Sequence, residues 1–213
     1  MINRFIISVM VPFVFLFNLS IARAEDITFG SLLKFSSGII TSFMIHESAH
    51  AFTADLNGID LNWHTGTYDQ PLTFTVYNIC DSDGGLLYSS GLISQIVGSE
   101  IILRSKKIDK NSAYIRGMMA WNIINPISYS LNHKFIKHSN REAGNQFQGD
   151  IEGVGYYSSD STANRFAIVM TGLAVYQGSR YLKTQDWFKG DSHSLSFGIQ
   201  PSGGVGFNYK FWF

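Results

Sequence analysis

Residues 46–50 read His-Glu-Ser-Ala-His, inside a stretch that is apolar and nearly free of charge. On a helix, positions i and i+4 lie on one face. His46 and His50 can therefore turn two imidazoles toward a single point, provided the residues around them are helical. The flanks Phe43, Met44, Ile45, Ala51 and Phe52 are uncharged, and Ser48 and Ala49 are small. Burying two imidazoles and a carboxylate in such a helix is costly unless each finds a partner. The segment therefore predicts a helix that packs against others and draws polar groups from elsewhere in the chain.

Two histidines at this spacing with a glutamate beside the first form the H-E-x-x-H pattern. The imidazoles can share one zinc ion, and Glu47 lies where it can reach a water on that ion. Zinc lowers the pKa of such a water to about 7. The carboxylate can take the proton as the water attacks a carbonyl and return it to the leaving amine. A third protein ligand has to come from downstream. Asp150 stands in Gln148-Gly149-Asp150-Ile151-Glu152-Gly153, a glycine-flanked acid in a polar segment. Glu100 stands in an otherwise apolar helix, where an unpaired charge is unfavourable, although Arg104 lies at i+4. His64, Asp69, His133 and His138 are further candidates.

Around this motif the chain reads as mainly α with small β hairpins. Ile27 to Leu56 is expected to be a helix stopped by Gly58. Ile59–His64 and Leu72–Tyr77 alternate and predict a hairpin with a loop from Gly66 to Pro71. Asp81-Ser82-Asp83-Gly84-Gly85 reads as a break. Leu86–Leu103, Ala113–Leu131 (interrupted at Asn125-Pro126) and Ala163–Leu182 read as helices, with a polar loop from His133 to Asp150. Each helix is near the roughly 20 residues that a membrane span requires. Their polar interruptions favour packing against one another, as an apolar helical bundle. At the end, Leu195, Phe197 and Ile199 alternate, Pro201 to Gly204 turns the chain, and Val205, Phe207, Tyr209, Phe211 and Phe213 alternate again. This predicts a C-terminal hairpin with one strongly apolar face.

The length of 213 residues suits one domain. Positive and negative charges balance, so nothing points to nucleic acid. Charged residues make up only 15%, against about 25% in ordinary soluble domains, so the chain either buries much of itself or sits against a membrane. Met1-Ile2-Asn3-Arg4, the apolar stretch Phe5–Leu19 and Ala22-Arg23-Ala24 form a secretory signal peptide over residues 1–24. The single cysteine, Cys80, has no internal disulfide partner and is expected to be a buried thiol.

The segment HESAHAFTADLNGIDLNWHTG, residues 46–66, resembles the site-2 protease family of zinc metallopeptidases. There an apolar helix carries H-E-x-x-H and leads through small residues and a glycine to a short β segment. Gly91-Leu92-Ile93-Ser94-Gln95 echoes the family's G-P-x-x-N, and Trp121-Asn122-Ile123-Ile124-Asn125-Pro126 echoes its N-x-x-P. The resemblance covers about half of the mature chain, and the expected organisation is a single zincin-like helical domain over residues 25–213 that ends in a β-hairpin at about 193–213. The resemblance also implies an aspartate ligand after the N-x-x-P segment, which makes Asp150 the choice. Ile127-Ser128-Tyr129-Ser130 stands where the family has L-D-G, so Glu100 remains the alternative, as in glutamate-ligated zincins. Gly66-Thr67-Tyr68-Asp69 also resembles the G-T-x-D of the aspzincins. The alternation ending in a terminal Phe resembles the assembly signal of outer-membrane β-barrel proteins.

Two functions follow as expectations. One is an exported zinc hydrolase, a metallopeptidase acting on peptides or other amides of the cell envelope, in the periplasm or outer membrane of a Gram-negative bacterium. The other is a non-enzymatic, membrane-associated envelope protein in which the histidine pair is structural or vestigial.

Overall fold

The computed structural model describes residues 28–67, 70–77, 79–135, 149–188, 193–199 and 205–211. The expected signal peptide lies outside them, as do Asp69 and His138. Among the described residues the protein is mainly α with two small antiparallel hairpins. The elements are α1 (Phe29–Leu56), β1 (Leu61–Thr67), β2 (Gln70–Val76), α2 (Asp81–Arg104), α3 (Ala113–Phe135), α4 (Asp150–Tyr157), α5 (Asp160–Leu182), a 3-10 turn (Asp186–Phe188), β3 (His193–Ile199) and β4 (Val205–Phe211).

The four long helices form a bundle in which α1 and α3 run one way and α2 and α5 the other. Around the bundle α1 neighbours α2 and α3, and α5 neighbours the same two, so α1 and α5 occupy opposite corners. The parallel pair α1 and α3 approaches closely because glycines meet backbone. A Cβ on Gly38 would collide with the carbonyl of Tyr114, and one on Gly117 with the carbonyl of Phe35. The short α4 packs against α2 and α5. Leu92, Ile151, Ala163, Ala167 and Met170 close that corner. The β1–β2 hairpin lays Leu61, Phe74 and Val76 over Ala54, Leu87, Tyr88 and Val154 at the end of the bundle where α1 stops.

Several boundaries differ from expectation, each for a physical reason. Asp81 to Gly85 is the first turn of α2 rather than a break. Asp81 and Asp83 stand in that turn, where carboxylates offset the positive end of the helix dipole. Gly84 is there for space, since a Cβ would run into the Tyr157 ring of α4. The helix α3 continues through Pro126 to Phe135. Pro126 removes one backbone bond, but it is buried among the other helices and the packing holds the helix together. His133 thus belongs to α3, not to a loop. It is buried, with Nε2 3.2 Å from Asn164 Oδ1. The helix α5 starts at Asp160 because the Ser159 side chain accepts from the Thr162 amide. Cys80 is exposed, not buried. It precedes α2, and its Sγ donates to Asp83 Oδ2 at 2.9 Å.

The C-terminal hairpin pairs Leu195 with Tyr209, Phe197 with Phe207 and Ile199 with Val205.

Candidate metal centre

Both histidines of α1 are buried and point into the bundle. Asp150, the first residue of α4, reaches them from the opposite side. His46 Nε2 lies 3.1 Å from Asp150 Oδ2, and His50 Nε2 lies 3.4 Å from Asp150 Oδ1. The two Nε2 atoms are 3.3 Å apart. Three donors held about 2.0–2.1 Å from one tetrahedral zinc ion stand about 3.3 Å from one another. The separation of the two Nε2 atoms and the approach of each nitrogen to an Asp150 oxygen are of that size, with the two nitrogens facing different oxygens of the carboxylate.

The chemistry of the donors agrees with the distances. His50 Nδ1 lies 2.8 Å from the Leu87 carbonyl. A carbonyl can only accept, so Nδ1 carries a hydrogen, which leaves Nε2 as the nitrogen that a metal would take once its proton is displaced. Ser90 Oγ, 3.3 Å from the same Nδ1, supports the ring from α2. Asp150 Oδ2 sits beside His46 Nε2, yet it is buried without a hydrogen bond. Burial alone would raise the Asp150 carboxyl. The positive charge of the protonated imidazoles, His50 first and then His46, reverses this in the metal-free site and holds it below the usual carboxylate range.

Gly91 of α2 forms the floor of the triangle. A Cβ there would collide with His50 Nε2 and stand 2.6 Å from His46 Nε2. Any other residue would fill the point on which the donors converge. The walls are aromatic. Tyr129 of α3 lies parallel to the His46 ring at a centroid distance of 6.2 Å. Phe74 of β2 lies 5.3 Å from the His50 ring. His46, His50 and Asp150 are the group, among the described residues, that could hold a metal ion. Glu47 is half-buried beside them, within electrostatic reach of all three.

The remaining candidates lie elsewhere. Glu100 accepts from Arg104 Nε and Arg180 Nη1, each at 2.6 Å. It is nine residues beyond Gly91, about 13 Å along the helix axis. His64 is exposed on β1, with Nε2 3.1 Å from Thr75 Oγ1. His133 is held by Asn164 on α5. Sequence reasoning missed Gly91 as the floor, and the Leu87 carbonyl, Tyr129 and Phe74 as its surroundings. The one available signal was a glycine next to two serines, Ser89 and Ser90, within an apolar helix.

Comparisons with known proteins find no matching family model, no matching curated protein and no matching solved structure.

Proposed function

We propose that this chain is a zinc-dependent hydrolase, a metallopeptidase of the cell envelope, in which His46, His50 and Asp150 hold the ion and Glu47 is the general base. The observation that carries the reading is the buried triangle of three donors around the space left by Gly91. The chemistry a zinc ion held there would supply is Lewis acidity and a positive charge that eases deprotonation of water. The rest of the work belongs to the chain's own side chains. The Leu87 carbonyl fixes the tautomer and tilt of His50. Asp150 would contribute a negative charge that offsets the ion in a buried site. Glu47, on the same helix as both histidines, takes a proton from the attacking water and passes it to the departing amine. The scissile bond on this reading is an amide of a peptide or another envelope component.

The depth of the triangle favours a second reading. His46, His50 and Asp150 are all at most 5% exposed, which also suits a closed site that ties α1 to α4 without turnover. Zinc analysis of the purified full-length chain, together with Glu47→Gln assayed on a peptide library, separates the two. Stoichiometric zinc in both proteins with hydrolysis lost in the variant supports the hydrolase. Zinc without any Glu47-dependent hydrolysis supports the closed site. A chain that binds no stoichiometric zinc sinks both.

A further inference from the structure

Beside its apolar core clusters, the bundle buries polar groups where its helices meet. Ser42 donates to Asn122 between α1 and α3. Asn125 donates to Gln95 Oε1 at 3.0 Å between α3 and α2. Gln177 of α5 donates to the Ile96 carbonyl at 3.0 Å. Gln95, Ser99, Asn122 and Gln177 are all buried, and Gly38 and Gly117 let α1 and α3 touch backbone to backbone. Small residues and interhelical hydrogen bonds at contacts are how helices associate in an apolar solvent.

The outer surface carries what a water-soluble bundle keeps inside. On α2, Leu86, Ile93, Val97 and Ile101 recur at helical spacing and are 40–60% exposed. On α1, Leu33, Ile40 and Met44 face outward, and on α5, Ile168, Val169 and Tyr176 do so. Each such half-exposed aliphatic leaves apolar surface in water that burial in an apolar medium would favour. Because α1 and α5 stand at opposite corners, these faces look in different directions. They form a belt, which a single protein partner on one side cannot cover.

Length and charge agree with this. The four helices have 23 to 28 residues, or about 35–42 Å at 1.5 Å per residue, against a hydrocarbon core of about 30 Å. By length and composition alone α2 is the one described helix apolar enough to cross a membrane. Charges gather at the two rims. Arg104, Lys106, Lys107, Lys110 and Lys183 lie where α2 and α5 end, and Asp55, Asp60, Asp81 and Asp83 lie at the opposite end.

We infer that this belt is covered by the acyl chains of a phospholipid bilayer, with the basic rim seated against anionic head groups. The inference does not depend on the metal centre. It is tested in the full chain carrying Cys80→Ser, with single replacements Val97→Cys, Ile40→Cys, Ile168→Cys and, as the rim control, Lys107→Cys. The proteins are reconstituted in phosphatidylcholine–phosphatidylglycerol vesicles. The three belt thiols should react with a water-soluble maleimide roughly ten times more slowly than the rim thiol, because the attacking thiolate is disfavoured in hydrocarbon. When labelled in detergent and then reconstituted, fluorophores at the belt positions should be quenched by brominated acyl chains and the rim fluorophore should not. Equal maleimide rates at belt and rim overturn the inference, as does a chain that fails to float with the vesicles. Protection without quenching also overturns it, because protein and not lipid then covers the belt.

Discussion

Asp150 and Glu100 are both carboxylates packed within the bundle, and they keep opposite company. Glu100 has its charge answered completely. Arg104, Arg180 and Gln177 all donate to it, and this knot joins the ends of α2 and α5. Asp150 faces two imidazoles and no arginine or lysine. One of its oxygens accepts no hydrogen bond although it is fully buried. A saturated cluster has finished its chemistry within the fold. An unsaturated one, buried and preorganised, has donor capacity directed at something the fold does not provide. The contrast is why Asp150 belongs to the candidate centre and Glu100 to the scaffold, although the sequence offers both acids on similar terms.

The contrast is broken most severely by Asp150→Asn, which keeps shape and removes charge. Zinc affinity should fall by more than the ~10–100-fold that follows loss of a supporting group behind a ligand, and hydrolysis should fall with it. Metal titration of the purified variant reads this directly, and a variant that binds zinc as tightly as the parent would remove Asp150 from the ligand set. Next comes Gly91→Ala. Its methyl enters the space between the two Nε2 atoms, and overpacking of this kind costs about 1–3 kcal/mol. The expected outcome is a folded helical protein, by circular dichroism, that no longer takes up zinc. Undiminished zinc uptake would show that the donors converge elsewhere.

Glu47→Gln sharpens the comparison from the other side. It leaves the triangle of donors intact and removes only the proton carrier. Zinc content should stay unchanged while the hydrolytic rate falls by about 10²–10⁴-fold, the usual share of general acid–base catalysis. A loss of zinc along with activity would instead make Glu47 part of the metal-holding structure.

The histidine helix was legible because the i, i+4 spacing and the uncharged flanks state the same geometry at two levels. The bundle was legible from long apolar runs, and both hairpins from their alternation. What could not be read was mostly the work of glycine and proline. The polar loop read from His133 ended at Asp150 and left residues 151–157 unassigned, a segment with glycines at 153 and 155; Gly153 is there because a Cβ would strike the Tyr88 ring, and Gly155 lies against Ala163. Pro126 suggested an interruption that tertiary packing overrides. The third donor lies 100 residues beyond His50, and no local pattern marks which distant acid a bundle brings home. The fact that Asp150 opens a helix rather than sitting in a loop explains how it is held firmly enough to meet both imidazoles.

The smallest effect is expected at Glu100. Glu100→Gln removes the charge from the knot but leaves an amide able to bond Gln177 and the arginines. The carboxylate is 28% exposed, and Arg104 78%, so solvent screens the pairs and the loss of stability should be no more than about 1 kcal/mol. Zinc content and hydrolysis should match the parent, since the knot lies about 13 Å along α2 from the floor of the centre. Thermal unfolding of the parent and the variant, each with its zinc measured, checks both halves. A variant that lost zinc at nearly full stability would show that the two carboxylates share one function, and the distinction between saturated and unsaturated clusters would fail for this bundle.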